Sequence, residues 1–374
     1  MPCVKGRVVF TTALIERFFY APISKRPALS LSRVDTRQSP IYAYLLIKLE
    51  RGLRMIIVTG GAGFIGSALI AALNKRGIND VLVVDRLGSD QRWKNLVNLS
   101  FADYLDKEDF LEMTAEDVLP FSVDTVFHLG ACSSTTETDV SFLMDNNFEY
   151  TKQLAQWTVD ENIRLIYASS AATYGDGSQG FSDDEEKLEM LRPLNPYGYS
   201  KQLFDLWAKR NGLLDKIVGL KYFNVFGPNE YHKADMRSFV LKAFEQINAT
   251  GKVRLFKSFN PDYKDGEQKR DFLYVKDAVD MTLFFYDNPK TAGIYNLGAG
   301  IARTWNDLAK AVFAAIGKKP NIEYIDMPDS VRNQYQYFTE ADIAKIRSAG
   351  YKKPITSLEE AVKDYVQNYL QKGW

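Results

Sequence analysis

Tyr197 and Lys201, a phenol and a primary amine four residues apart, stand in the stretch Asn195-Pro-Tyr-Gly-Tyr-Ser-Lys201. A helix is expected to begin here and run through Leu203 and Trp207. Residues four apart share a helix face, so both side chains point the same way. A nearby ammonium favours phenolate, which would draw the phenol down from about 10 toward the range where it accepts a proton from an alcohol. Upstream, Tyr167-Ala-Ser-Ser170 ends an apolar run, which places Ser170 at a strand tip facing the same crevice. Its hydroxyl can bond the reacting oxygen. These three side chains suit proton removal and return at an alcohol carbon undergoing redox. A lone Tyr-x-x-x-Lys is usually a surface pair; its surroundings give this one its weight.

The first of those surroundings is Thr59-Gly-Gly-Ala-Gly-Phe-Ile-Gly66, which directly follows the apolar run Met55-Ile-Ile-Val58 and opens a helix. Gly60 allows a tight turn, Gly63 lets the backbone approach a pyrophosphate, and Gly66 lets helix and strand pack closely. The free N–H groups and the dipole of the helix N-terminus then favour the phosphates. Asp85 ends the next strand, about 20 residues on, as a dinucleotide site requires. Asp85 would bond a ribose 2′-hydroxyl, which favours NAD; Arg86 and Arg92 could instead pair with a 2′-phosphate, which favours NADP. Each arginine taken singly reads as a solvated surface charge.

The elements that must position these groups follow from the pattern. Continuous β-branched runs at 56–58, 81–84, 123–129 and 164–168 read as strands buried on both faces, and helical stretches near 64–75, 107–111 and 147–159 alternate with them. The expected fold class is α/β: a Rossmann, doubly wound parallel sheet. After Tyr222 the chain turns polar and turn-rich, with later helices near 275–286, 304–316 and 357–371 and a short strand at 294–297. The expected organisation is a Rossmann domain of 55–225 plus about 271–297, and a smaller, discontinuous C-terminal α/β substrate domain of about 226–270 plus 298–374.

Bulk composition narrows the class. Lys plus Arg equals Asp plus Glu at 47 each, so whole-chain charge gives no case for nucleic acid. Residues 1–54 nevertheless carry ten basic and three acidic side chains, a net of +7 that the remainder balances. This extension lacks a secretory signal's apolar core and resembles a transit peptide only faintly. Because Met55 opens a clean strand, residues 1–54 are read as a start-site overcall or a dispensable tail. Two cysteines and two histidines make a disulfide framework or a metal site an unsuitable reading. No run of 18 apolar residues occurs to span a membrane, and a cytoplasmic setting is expected.

Together, Thr-Gly-x-x-Gly-x-x-Gly, the Ser170-centred strand end and Tyr197-x-x-x-Lys201 resemble the extended short-chain dehydrogenase/reductase family of nucleotide-sugar epimerases and dehydratases, from Met55 to the C-terminus. More narrowly, the chain is similar to the family's ADP-heptose 6-epimerase branch. That likeness is carried by residues 102–109 (ADYLDKED), 130–137 (GACSSTTE), 222–228 (YFNVFGP), His232-Lys233 and 269–275 (KRDFLYV). The resemblance implies inversion of C6″ of ADP-D-glycero-D-manno-heptose, for lipopolysaccharide heptose supply, by transient oxidation to a 6″-ketone and re-reduction. One tightly bound NADP per subunit is the implied cofactor, with NAD the alternative, and a homopentamer the implied assembly.

Residue by residue, the resemblance makes Tyr197 one base, aided by Lys201 and Ser170, and Lys233 the second base. Taken alone, Lys233 reads more often as a surface lysine. Phe64 and Ile65 lie on the pyrophosphate turn; Asp85, Arg86, Arg92 and Lys107 surround the adenosine ribose. The remaining cofactor wall is Leu129, Gly130, Ala131, Cys132, Ser133, Asn146 and Val225. On the substrate side stand Ser170, Asn224, Asp235, Lys242, Phe256, Lys257, Ser258, Phe259, Arg270 and Tyr335, with Arg270's planar fork suited to a diphosphate. The chain departs from the family at Asp235 and Lys242, often Ser and His there, and at Lys257 and Ser258, often Glu-Gly. Nucleotide-facing contacts should differ accordingly. Two rival functions stay open: a UDP-hexose 4-epimerase, and a non-catalytic NADP(H)-binding sensor. A 4,6-dehydratase is disfavoured because Ala171 and Ala172 replace the Asp-Glu that elimination needs.

Overall fold

The computed structural model describes residues 54–332 and 335–373; the expectations for the extension through residue 53 lie outside the described residues. Strand β1 (Met55–Thr59), helix α1 (Phe64–Lys75) and strand β2 (Val81–Asp85) open the fold. Then come β3 (Asp103–Asp106), α2 (Lys107–Ala115), β4 (Val123–His128), the short α3 (Val140–Leu143), a π-helical turn at Met144–Glu149, α4 (Tyr150–Asp160) and β5 (Arg164–Ser170). Helix α5 (Pro196–Arg210), β6 (Val218–Tyr222), β7 (Asn224–Phe226), α6 (Phe239–Thr250) and β8 (Val253–Phe256) follow. The chain closes with β9 (Lys269–Tyr274), α7 (Val275–Asp287), β10 (Gly293–Leu297), β11 (Ala302–Thr304), α8 (Trp305–Ala315), β12 (Ile322–Ile325) and three further helices, α9 (Asp329–Arg332), α10 (Ala344–Ser348) and α11 (Leu358–Tyr365).

Seven strands make one sheet in the order β10-β6-β5-β4-β1-β2-β3, every neighbouring pair parallel. Strands β1, β2, β6 and β10 are buried at every position, as helices covering both faces require, and β6 and β10 take Lys221 and Asn296 into that burial. This is the doubly wound α/β fold. The order reverses between β1 and β4, and the crevice that opens at their carboxyl ends is where such sheets take ligands. Beyond the sheet, β7 and β11 flank β9 in a three-stranded layer, and β8 pairs with β12. Among the described residues, no helix is long and apolar enough to cross a membrane.

Helix α6 and the short strands β7, β8, β9, β11 and β12 lie in the region read as turn-rich. The three to six residues of each strand are too few to set a period, whereas α6 carries apolar residues at helical spacing (Val240, Ala243, Ile247) that went unread, along with its caps. Ser238 accepts from Leu241 N at one end, and Gly251 adopts left-handed φ of +71° at the other.

Candidate active site

The glycine turn between β1 and α1 is built to exclude side chains. Gly60 has φ of +67°, and a Cβ there would stand 2.6 Å from Gly130 N; one on Gly66 would stand 2.1 Å from Gly60 O. Gly63 is the N-cap of α1 and offers no side chain to its first-turn N–H groups. Those groups edge a cavity of about 490 Å³ together with Phe64, Ile65 and Gly66. An uncapped helix N-terminus beside a cradle that any Cβ would fill fits the diphosphate of a dinucleotide.

The same cavity is lined by Ser170, Tyr197 and Lys201, and by Leu129, Gly130, Ala131, Cys132, Ser133 and Val225. Asn195 caps α5, accepting from Gly198 N at 2.8 Å, and Pro196 occupies the first turn. A Cβ on Gly198 would meet Ala172 O at 2.7 Å, so glycine lets the helix start press against the turn that follows Ser170. The Ser170 hydroxyl, which accepts from Ala172 N at 3.1 Å, lies close enough to the Tyr197 phenol to favour its ionised form, and Lys201 Nζ donates to Ala168 O at 2.9 Å. The electrostatics differ from the sequence expectation. Burial pushes the Tyr197 phenol above its ordinary 10, and the Ser170 hydroxyl only partly offsets this. Lys201 is itself drawn down to about 8 by burial, against the pull of Asp205. The ammonium is turned to a backbone carbonyl, and desolvation outweighs the attraction that the four-residue spacing implied.

Lys233 edges the same cavity from a separate segment, a 3-10 turn at Tyr231–Met236, with its ammonium over the Phe64 ring at 5.4 Å. Burial lowers its pKa while Glu230 opposes the shift. Glu230 is only 1% exposed and accepts from the backbone N–H and, at 2.6 Å, the hydroxyl of Ser238. The lysine that reads alone as a surface residue is thus carried on an arm folded against the glycine turn.

Asp85 is committed within the protein. Its Oδ2 accepts from Ala62 N at 2.9 Å, and its Oδ1 from Arg86 N at 2.7 Å and Arg92 Nη1 at 3.2 Å. Arg92 is also bound to Asp90 through Nε, Nη2 and its backbone N–H. An adjoining cavity is lined by Asp85, Arg86, Arg92, Lys107 and Asn146, with Lys107 Nζ donating to Asn146 Oδ1 at 2.7 Å. A carboxylate and three cations therefore share one rim.

The substrate-side residues fall outside the lining of the main cavity, Ser170 excepted. Arg270, 6% exposed, lies against the rings of Tyr335 at 5.1 Å and Trp305 at 5.8 Å. Asn224 donates to Asp271 O and Thr339 Oγ1. Phe256 ends β8. Beyond it Lys257 pairs with Asp326 at 3.1 Å, Ser258 N donates to Asp265 Oδ1, and Phe259 lies under the Arg332 guanidinium at 3.7 Å. Lys242 Nζ donates to the Asp235 carbonyl at 2.5 Å, which brings those two departures together.

Several positioning residues went unread in the sequence. Asn147, fully buried in the π-helical turn, accepts from Cys132 N and donates to Cys132 O and Ser200 Oγ, tying the cavity wall to α5. Asp205 accepts from Tyr167, Ser169 and the ammonium of Lys221 at 3.0 Å, with both charges fully buried. Its four-residue step from Lys201 was the one available signal.

A family model described as the NAD dependent epimerase/dehydratase family matches residues 56–298. An ADP-L-glycero-D-manno-heptose-6-epimerase of Nitratidesulfovibrio vulgaris is 55% identical over 316 residues, 84% of this chain and 98% of that relative. The solved structure of an ADP-L-glycero-D-manno-heptose-6-epimerase from Helicobacter pylori matches with a TM-score of 0.71 at 29% identity, covering 85% of this chain and 97% of that one. A UDP-N-acetylglucosamine 4-epimerase from Methanobrevibacter ruminantium also reaches 0.71, at 26% identity, covering 86% and 99%. Fold likeness therefore does not separate the two substrate classes, whereas sequence identity does. With a family model spanning the sheet and a relative more than half identical along nearly its whole length, the chain belongs to the NAD dependent epimerase/dehydratase family, among its ADP-L-glycero-D-manno-heptose-6-epimerases.

Proposed function

We propose that this protein inverts C6″ of ADP-D-glycero-D-manno-heptose to the ADP-L-glycero-D-manno form through a 6″-ketone, with Tyr197 and Lys233 as the two proton-transfer groups. The observation that carries this reading is their placement in the lining of one cavity on separate elements, α5 and the 231–236 turn. A bound nicotinamide dinucleotide supplies reversible hydride acceptance there. Tyr197, held by Ser170, removes the hydroxyl proton as C6″ is oxidised, and Ser170 steadies the same oxygen. Lys201, in the same lining with its ammonium on Ala168 O, is the cation we assign to supporting the phenolate during proton transfer. A planar ketone has two faces, and inversion needs proton transfer at each, the second by Lys233. Burial lowers the Lys233 pKa toward the working range, which suits a general acid–base role.

NADP is the cofactor we assign. Asp85 spends its oxygens on Ala62, Arg86 and Arg92, while Arg86, Arg92 and Lys107 provide the positive rim that a 2′-phosphate needs. Residues 226–270 and 298–374 serve as the substrate lobe, where Arg270 takes the diphosphate and Phe256–Phe259 with Tyr335 face the nucleotide. Assembly as a homo-oligomer, a pentamer, belongs to the same reading.

Purified protein incubated with ADP-D-glycero-D-manno-heptose and no added cofactor should give the C6″ epimer by NMR, with no net NADPH. UDP-hexoses should remain unchanged. Conversion of a UDP-hexose at C4 in place of the heptose would transfer the assignment to the 4-epimerases.

A further inference from the structure

Asn95 lies in the 3-10 turn Arg92–Leu96, is 6% exposed, and touches both halves of the proposed site. Its Nδ2 donates to Ala62 O, inside the glycine turn, at 2.9 Å, and to Asn229 O, at the root of the Lys233 arm, at 3.1 Å. His232 Nδ1, one residue before Lys233, is 3.4 Å away. The Oδ1 of the same amide is buried with no hydrogen-bond partner among the described residues. A flipped amide would set that oxygen against two carbonyls, so the two donated bonds fix its orientation.

The arm itself is under tension. Asn229 has φ of +78° and Ala234 of +46°, left-handed conformations that residues with a Cβ adopt at a cost. Such backbone persists only where surrounding contacts over-determine it. On the Lys233 side those contacts lead back to the cofactor turn. Asn229 Nδ2 donates to Ser67 Oγ on α1 at 2.9 Å, and the Lys233 ammonium rests over Phe64. Glu230 holds the far end at Ser238.

We infer that Asn95 is a positioning residue that clamps the strained arm to the glycine turn and so sets Lys233 at its working place in the cavity. The inference rests on the reading of Lys233 as the second proton-transfer group. Asn95 contacts backbone and a neighbouring side chain, so its effect passes through Lys233.

A double-mutant cycle tests this on the full-length holoenzyme, with Asn95→Ala, Lys233→Met and the pair, reading kcat for ADP-D-glycero-D-manno-heptose and dinucleotide bound per subunit. Misplacing a catalytic group by about 1 Å costs up to roughly 100-fold, so N95A should lower kcat roughly 10- to 100-fold with dinucleotide retained. In the K233M background the same substitution should cost less than about twofold, because its target is gone. Equal costs in both backgrounds, or loss of dinucleotide with kcat per occupied site unchanged, would overturn the inference and leave Asn95 as a brace of the glycine turn. Full activity in K233M alone would instead remove the role of Lys233 and the inference with it. Asn95→Ser, smaller and still polar, guards against misfolding, and should fall between wild type and N95A if the clamp operates.

Discussion

At the scale of single residues, burial rather than pairing sets the resting charge states. Lys201 is brought to about 8 by desolvation, with Asp205 opposing. If its ammonium supports the Tyr197 phenolate, kcat falls as pH rises through about 8, and the alkaline limb belongs to Lys201. Lys201→Arg keeps a cation throughout that range, so its rate relative to its own optimum should hold at pH 9 where the wild type has declined. A limb at the same pH in both proteins would assign it elsewhere. Tyr197, Lys201 and Ser170 were legible because four-residue spacing and a strand end are local facts. The direction of the Tyr197 shift was not, because it depends on what the rest of the chain packs around the ring. Asn95 and Asn147 were illegible for the same reason, since their partners lie 33 to 134 and 15 to 53 residues away.

At the scale of elements, the glycine turn is where sequence and geometry agree most closely, because each glycine answers to a specific backbone approach. Gly66→Ala places a Cβ 2.1 Å from Gly60 O, a contact that only backbone movement can relieve. Overpacking of this kind costs about 1–3 kcal/mol. The variant should show a lower urea midpoint and reduced dinucleotide retention on gel filtration; an unchanged dinucleotide content would mean the turn has slack that the structure denies. Strands β1, β2, β4, β5 and β10 and helix α1 were readable from apolar patterns, whereas β6, interrupted by Gly219 and Lys221, was not read. The sequence reads one helix over 147–159, whereas residues 139–160 hold α3, a π-helical turn and α4. The π turn carries Asn147 into the core, which apolar periodicity has no means of encoding.

At the scale of the whole molecule, polar groups sealed in the core tie the sheet to the site. His128, 1% exposed, takes the Thr59 hydroxyl on Nδ1 at 2.6 Å and meets Thr151 Oγ1 through Nε2 at 2.9 Å. Thr151 donates to Asn147 O, and Thr59 accepts from Gly130 N, which leaves a neutral ring with its proton on Nε2 as the consistent arrangement. Burial holds its pKa down at about 3, with Lys201 adding to the shift. A folded pKa below the unfolded 6.5 means that the unfolded chain binds the extra proton. Stability from this group is therefore present above pH 6.5 and is lost as pH falls toward 3, by on the order of 4 kcal/mol. Urea unfolding across that window should show the loss in the wild type and a shallower dependence in His128→Gln; parallel curves would show that the ring is protonated in the fold. The Asp205–Lys221 pair adds a second sealed link, between α5 and β6, beneath Ser169.

The central claim is that both proton-transfer groups act on one carbon that is oxidised and then reduced again. It is tested most directly with ADP-D-glycero-D-manno-heptose carrying deuterium at C6″, turned over in ordinary water and read by NMR and mass spectrometry. Reversible oxidation predicts that the epimer keeps its deuterium at C6″. Loss of that deuterium to solvent would mean that the carbon is deprotonated and reprotonated instead, and would contradict the account.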